Sequence, residues 1–238
     1  MSIKSVKAIL FDTFGTVSDW RGSIDREISK IAAAKGVENF DGDAFARAWR
    51  AGYRPGMARV TSGEREWVAV DVIHRERLDE ILPEFGLDML TEEERADLNL
   101  AWHRIRPWPD SVPGLIRLKS KYLISPLSNG SLVLLATMGK QAGIPWDFVF
   151  SSDMHKAYKR NPAVYRNAIA LLGFEPGEVM MGAAHNDDLE AARKEGMRTA
   201  YINRPYEYGV DQVKDFEATS DWDIIADDMG GIADAMGV

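Results

Sequence analysis

Val6-Lys-Ala-Ile-Leu-Phe-Asp-Thr-Phe-Gly-Thr-Val-Ser-Asp19 decides how the rest of the chain is read. Val6 to Phe11 is a short apolar run with β-branched members, closed by Asp12 and Gly15. Such a run reads as a buried strand that stops at a carboxylate. In an open parallel sheet, ligands sit beyond the carboxyl ends of the strands, so Asp12 is expected at the mouth of a cleft. Gly15 lets the backbone turn away, and the Thr16 hydroxyl can hold a group nearby. A carboxylate so placed can act as a nucleophile without a base to generate its charge. Within this stretch alone, a strand ending in an ordinary turn-forming Asp looks the same.

Outward from the strand, residues 20–104 carry only helical patterning. Ser23 is expected to cap a helix whose Ile24, Ile28, Ile31 and Ala32 recur at helical spacing up to Gly36. Asp43 is expected to cap a second, with Phe45, Trp49 and Tyr53 on one side. Trp67, Val70, His74, Leu78 and Ile81 line a third. Thr91 to Glu94 has the form of a capping box before a fourth helix with Leu98 and Trp102. From Pro107 helix and strand alternate. Helices are expected at Ser111–Lys119, Leu132–Gln141, Pro162–Leu172 and Asp188–Lys194. Strands are expected at Tyr122–Leu127, Phe148–Ser151, Val179–Ala184, Thr199–Asn203 and, near an edge, Asp223–Ala226. That alternation argues for an α/β parallel sheet that the first strand joins, with the helical block inserted over its carboxyl edge.

Composition narrows the class. The 238 residues suit one α/β domain with an insertion, and a net charge of −8 speaks against a nucleic-acid partner. The absence of cysteine excludes disulfides, thiolate metal sites and cysteine nucleophiles. No basic-then-apolar leader and no membrane-length apolar run are present, so a cytoplasmic protein with no membrane partner is expected. The four histidines show no metal-ligand spacing.

Polar residues follow each later strand: Ser128-Asn129-Gly130, then Lys159 with Tyr165 six residues on, then His185-Asn186-Asp187-Asp188. Each has an ordinary explanation as a solvated lysine, a turn, or first-turn acids favoured by a helix dipole. Recurrence at one edge of consecutive strands favours a site, gathering Asp12, Thr16, Ser128, Asn129, Lys159 and Asp188.

These motifs resemble those of the haloacid dehalogenase superfamily over nearly the whole chain. Within it the sequence is similar to the L-specific 2-haloacid dehalogenases, through Trp49-Arg50, Leu127-Ser-Asn-Gly-Ser131, Tyr158-Lys159, Pro162, Val164-Tyr165 and Ala184-His-Asn-Asp-Asp-Leu189. The resemblance implies a Rossmann-like core at 1–19 and 105–238 and an all-helical cap domain at 20–104. One residue then discriminates by chemistry. Phosphatases of the superfamily carry a second Asp two residues after the nucleophile, which protonates the departing alkoxide and contacts Mg²⁺; here Phe14 stands there. General acid catalysis is typically worth about 10²–10⁴-fold, so an alkoxide leaving group would suffer from its loss. Halide leaves as a stable anion and needs a desolvated electropositive pocket instead.

The resemblance therefore implies hydrolysis of a small 2-haloacid with no metal and no cofactor. Asp12 attacks C2 with inversion, and Arg50 and Asn129 receive the halide. Ser128 and the backbone around Thr13 and Phe14 hold the substrate carboxylate. Lys159 compensates charge, while Thr16 and Tyr165 orient the nucleophile. Asp188 activates water, with Asp187 beside it as the other candidate. His185 falls where well-known members have Asn, Ala183 where they have Ser, and Arg160 where proline is frequent; His185 is grouped with the substrate-binding residues. Trp20, Tyr53, Trp67 and Trp102 are candidates to narrow the pocket. Family members are commonly homodimers. The competing readings are a Mg²⁺-dependent phosphatase or phosphonoacetaldehyde hydrolase, and a non-catalytic binding protein on the same scaffold.

Overall fold

The computed structural model describes residues 3–238. Its strands β1 (Ala8–Phe11), β4 (Leu123–Ser128), β5 (Phe150–Ser151), β6 (Val179–Ala183), β7 (Arg198–Ile202) and β8 (Ile224–Ala226) form one six-stranded sheet in the order β5-β4-β1-β6-β7-β8. Every pairing in it is parallel, as expected when both faces are covered by crossover helices. Alternate side chains of β1 point to opposite layers. Ile9 and Phe11 join one apolar cluster, and Leu10 joins another with Val164, Ala168 and Leu189. The chain passes from β4 on one side of β1 to β6 on the other, so Asp12 stands at the switch point of the sheet, where a crevice opens.

Two short strands, β2 (Ser18–Asp19) and β3 (Arg106–Pro107), pair antiparallel where the chain leaves and re-enters the core. Between them lie α1 (Trp20–Ala34), α2 (Gly42–Ala51), α3 (Tyr53–Thr61), α4 (Val70–Ile81) and α5 (Glu92–Asn99), the helical cap. Two caps differ from the sequence reading. Asp19, not Ser23, caps α1 by accepting from Gly22 N at 2.8 Å, because Ser23 is buried with its hydroxyl taken by Arg106 N. Asp41, not Asp43, caps α2; Asp43 instead pairs with Arg21 and Arg47. Tyr53 opens a separate helix after Gly52, so α3 is an element the periodicity merged with α2. The Thr91–Glu94 capping box is formed as read.

The core helices are α6 (Ser111–Lys119), α7 (Leu132–Ala142), α8 (Ser152–His155), α9 (Pro162–Leu172), α10 (Asn186–Lys194) and α11 (Met229–Ala235). Pro162 at the first turn and left-handed Gly173 just past the end fix α9 at the bounds expected. Helix α10 begins two residues earlier than the pattern suggests, so Asp187 and Asp188 both fall in its first turn.

Candidate active site

Asp12 follows β1 directly and its backbone N–H donates to Gly182 O at 2.9 Å. Three groups hold its buried carboxylate. Lys159 Nζ donates to Oδ1 at 2.9 Å, Thr16 Oγ1 donates to Oδ2 at 2.9 Å, and His185 Nδ1 lies 3.1 Å from Oδ2. The Thr16 hydroxyl accepts in turn from Ala184 N, which orients it. Burial alone would raise the Asp12 carboxyl. The charge of Lys159, then the hydrogen bond and charge of His185 and the charge of Arg160, reverse that and hold it well below the ordinary carboxylate range. A buried carboxylate kept ionised and steered by fixed donors is suited to attack carbon.

Lys159 is fully buried, and its ammonium bridges Asp12 to Asp188 Oδ2 at 2.6 Å. The peptide that follows it, Lys159–Arg160, is cis. Asp188 has no exposed surface and its other oxygen accepts from the Tyr165 hydroxyl at 2.5 Å, with Arg160 Nη1 at 3.4 Å. Burial, then the Asp188 charge, raises the Tyr165 phenol, which stays a neutral donor. Asp187 is pinned between Arg160 at 2.7 Å and cap residue Arg54 at 3.3 Å. Despite partial burial, Arg160 and then Arg54 depress its carboxyl strongly.

A cavity of about 550 Å³ opens between cap and core, its wall including Asp12, Phe14, Arg50, Asn129, Lys159 and His185. Thr13, Thr16, Ser128, Tyr165 and Asp188 stand behind that wall and not on it. Asn129 Oδ1 accepts from Lys159 N at 2.7 Å and Ser152 Oγ at 3.1 Å, which leaves its amide N–H donors for the cavity. Ser128 Oγ accepts from Gly130 N, and the Thr13 and Phe14 amides have no acceptor among the described residues.

Arg50 is brought in by α2. Among the described residues it has no carboxylate partner, and its Nη1 is buried without any acceptor. Its guanidinium carbon lies 3.9 Å from the Tyr53 ring centre, 5.3 Å from those of Phe14 and Trp20, and 5.8 Å from that of Trp102. Buried His74 stacks on Trp102 at 4.1 Å and completes the enclosure. Burial, then the charge of Arg50, pulls the His74 imidazole down to about 3, so it packs as a neutral ring. Trp67 instead packs at a tilt against Tyr158, with ring centres 4.7 Å apart.

Glu207 escaped the sequence reading. It sits in the turn after β7, almost wholly buried, with its oxygens 3.0 and 3.2 Å from His185 Nε2 and accepting from Trp20 Nε1 at 3.0 Å. Gly15 makes room for it: at φ +87° it adopts a backbone few side chains tolerate, and a Cβ there would collide with the Glu207 carboxylate. Burial would lower His185, but the Glu207 charge, hydrogen bonds with Asp12 and Glu207, and the Asp12 charge push it up to about 10. The free site thus holds an imidazolium between two carboxylates.

The family model for haloacid dehalogenase-like hydrolase matches residues 6–196. The crystal structure of the defluorinating L-2-haloacid dehalogenase Rha0230 superposes with a TM-score of 0.94 at 48% identity, covering 98% of this chain and 96% of that one. The L-2-haloacid dehalogenase PA0810 gives 0.93 at 41% identity, covering 97% and 98%. The (S)-2-haloacid dehalogenase 4A of Burkholderia cepacia is 28% identical over 221 residues, 87% of this chain and 88% of that protein. The chain therefore belongs to the haloacid dehalogenase-like hydrolase family, on its L-2-haloacid dehalogenase branch.

Proposed function

We propose that the protein hydrolyses the carbon–halogen bond of short (S)-2-haloacids and haloacetates, releasing the 2-hydroxyacid through an ester on Asp12. The carrying observation is Arg50: a guanidinium with a buried, unpartnered Nη1 and no carboxylate partner among the described residues, flanked by aromatic rings on the wall that Asp12 shares. A half-buried cation without a counter-charge is placed to take up the negative charge that develops on a departing halide. The free Phe14 amide and the Asn129 amide suit the substrate carboxylate and the halide. Backside attack by Asp12 on C2 inverts that carbon, so an (S)-2-haloacid gives the (R)-hydroxyacid. Holding nucleophile and carbon in line is worth roughly 7–11 kcal/mol of barrier.

Phe14 separates this reading from phosphate-ester hydrolysis, since an apolar ring on the cavity wall two residues after Asp12 has no proton to give a departing alkoxide. The direct experiment offers chloroacetate, fluoroacetate and a phosphate monoester in the presence of excess chelator. Halide release unaffected by chelator, with no phosphate released, is the expected result. Phosphate release restored by Mg²⁺ would refute the proposal.

Arg50→Met keeps the apolar stem and removes the charge. Its kcat should fall by about 10²–10³-fold with a smaller change in KM, since the interaction strengthens only as halide departs. The deficit should grow from iodo- to bromo- to chloroacetate, the poorer leaving group needing more help. A change confined to KM would place Arg50 on the substrate carboxylate instead. No helix among the described residues is long and apolar enough to cross a membrane. A cytoplasmic homodimer belongs to the same proposal, supported by the exposed apolar side chains Leu132 and Val133 at the start of α7.

A further inference from the structure

We infer that His185, held by Glu207, is the base that drives hydrolysis of the Asp12 ester, and that Asp188 is not. The inference rests on the dehalogenase reading above and assigns its second half-reaction. Attack by water on the Asp12 carbonyl carbon requires an acceptor on the cavity wall, within hydrogen-bond reach of that water. Both oxygens of Asp188 are engaged, by Lys159 and Tyr165, and no part of it faces the cavity. Asp187 does face the cavity, but Arg160 and Arg54 hold both of its oxygens and make it a weak base. His185 faces the cavity with Nδ1 3.1 Å from Asp12 Oδ2, so a water poised over the Asp12 carbonyl carbon is within reach of that nitrogen.

Glu207 positions the ring. Its carboxylate accepts a hydrogen bond from Nε2–H, which leaves Nδ1 as the working nitrogen, and is itself fixed by Trp20 Nε1 and by the space at Gly15. The turn that carries it is anchored by Arg204, which donates from Nε to Thr16 O at 2.9 Å and from both terminal nitrogens to Asp110 at 2.8 Å. The charged groups around His185 are Asp12, Glu207 and Asp187, with Lys159 and Arg160 on the far side of Asp12.

The two half-reactions are coupled through Asp12. In the free enzyme His185 is protonated and steadies the nucleophile. When Asp12 attacks C2, the C–O bond forms, the C–X bond breaks with both electrons, and halide leaves toward Arg50. Asp12 is now a neutral ester, so one of the two carboxylates that kept His185 charged is gone, and Nδ1 releases its proton to solvent. Water then adds to the ester carbonyl as Nδ1 takes one of its protons. The tetrahedral adduct collapses with cleavage of the bond between that carbon and the alkyl oxygen. The water's second proton ends on the hydroxyacid, and the Asp12 carboxylate and protonated His185 are restored. One halide and one proton leave per turnover.

The test is a rapid-mix reaction with chloroacetate, read by halide release and by intact-protein mass. His185→Asn should still release one halide per active site, in a first turnover slowed far less than the steady state. It should then stall as enzyme heavier by one carboxymethyl group, with steady-state turnover lowered by about 10²–10⁴-fold. Glu207→Gln should accumulate the same ester to a lesser extent, and the acid limb of its steady-state rate should move about one unit or more to lower pH. A merely structural role would lower the rate without that shift. Because His185→Asn leaves Glu207 buried opposite a neutral amide, the double variant His185→Asn/Glu207→Gln carries the same test with both charges removed. Ester accumulating in Asp188→Asn but not in His185→Asn overturns the assignment, as does equal slowing of burst and steady state. No halide from the wild-type enzyme would overturn the dehalogenase reading, and the His185 assignment with it.

Discussion

Asp12→Asn abolishes turnover of chloroacetate, with kcat/KM falling by about 10⁴-fold or more, at least roughly 5 kcal/mol of transition-state stabilisation. The amide keeps the shape of the carboxylate and can still accept from Thr16 or Lys159, so the fold should tolerate it. What disappears is the ionised oxygen that forms the bond to C2. No other carboxylate can replace it: Asp188 lies behind the wall, and Arg160 and Arg54 hold Asp187. The measurement is steady-state halide release from protein whose mass excludes deamidation back to Asp. Its companion is a single wild-type turnover in water labelled with heavy oxygen. The label should enter Asp12 and be absent from the first hydroxyacid released. Label going straight into the product would mean that water attacks C2 directly and that Asp12 is not the nucleophile.

Lys159→Met should damage both activity and stability. Lys159 is the buried cation shared by Asp12 and Asp188, and without it two carboxylates face each other out of water. Removing one partner of a buried ion pair typically costs about 3–5 kcal/mol. For a chain of this size that lowers the melting temperature by roughly 6–20 °C. One carboxyl will take a proton to relieve the repulsion, and wherever that proton resides on Asp12 the nucleophile is lost. The acid limb of the pH–rate profile should therefore move upward, and kcat/KM at neutral pH should fall by about 10³-fold or more. The wild-type protein has the opposite linkage. Its Asp12 carboxyl is depressed, so the associated stability is fully present above the ordinary Asp range and is lost as pH falls through the depressed folded value. Melting curves from pH 7 downward should show this acid-side loss in wild type and a weaker one in Lys159→Met. Equal acid-side slopes would mean that Lys159 is not what keeps Asp12 ionised.

Much of the site is written in residue order. The apolar run into Asp12, the Ser128-Asn129 turn, Lys159 and the paired acids each sit just past a strand, and a parallel sheet places such positions at one edge. Helix ends were legible where a single residue type dictates backbone geometry, as Pro162 and Gly173 do for α9. They were misread where two capping residues compete. Asp19 and Ser23 both suit an N-cap, and only the return of the chain at Arg106, which claims the Ser23 hydroxyl, decides between them. Glu207 was hidden for a different reason. Arg204-Pro-Tyr-Glu-Tyr-Gly209 has the composition of a solvated turn, and nothing local marks a buried acid in it. The available signal was topological: the loop after β7 leaves the same carboxyl edge as Asp12, so each charged residue in it was a candidate. The emptiness around Arg50 was equally illegible, because an ion pair that is not made leaves no pattern in the sequence.

The placement of β1 also sets an order of events during synthesis. Among the strands of this sheet it is the first to leave the ribosome, yet its two neighbours are residues 123–128 and 179–183. At about 5–20 residues per second, the nascent chain carries an unpaired apolar strand for on the order of ten seconds. The cap helices, joined by short connections, can condense in that interval, whereas the central sheet must await distant segments. Both edges of β1 meanwhile present bare amide and carbonyl groups to other chains. The segment that performs the chemistry is thus the strand of this sheet that waits longest for its partners.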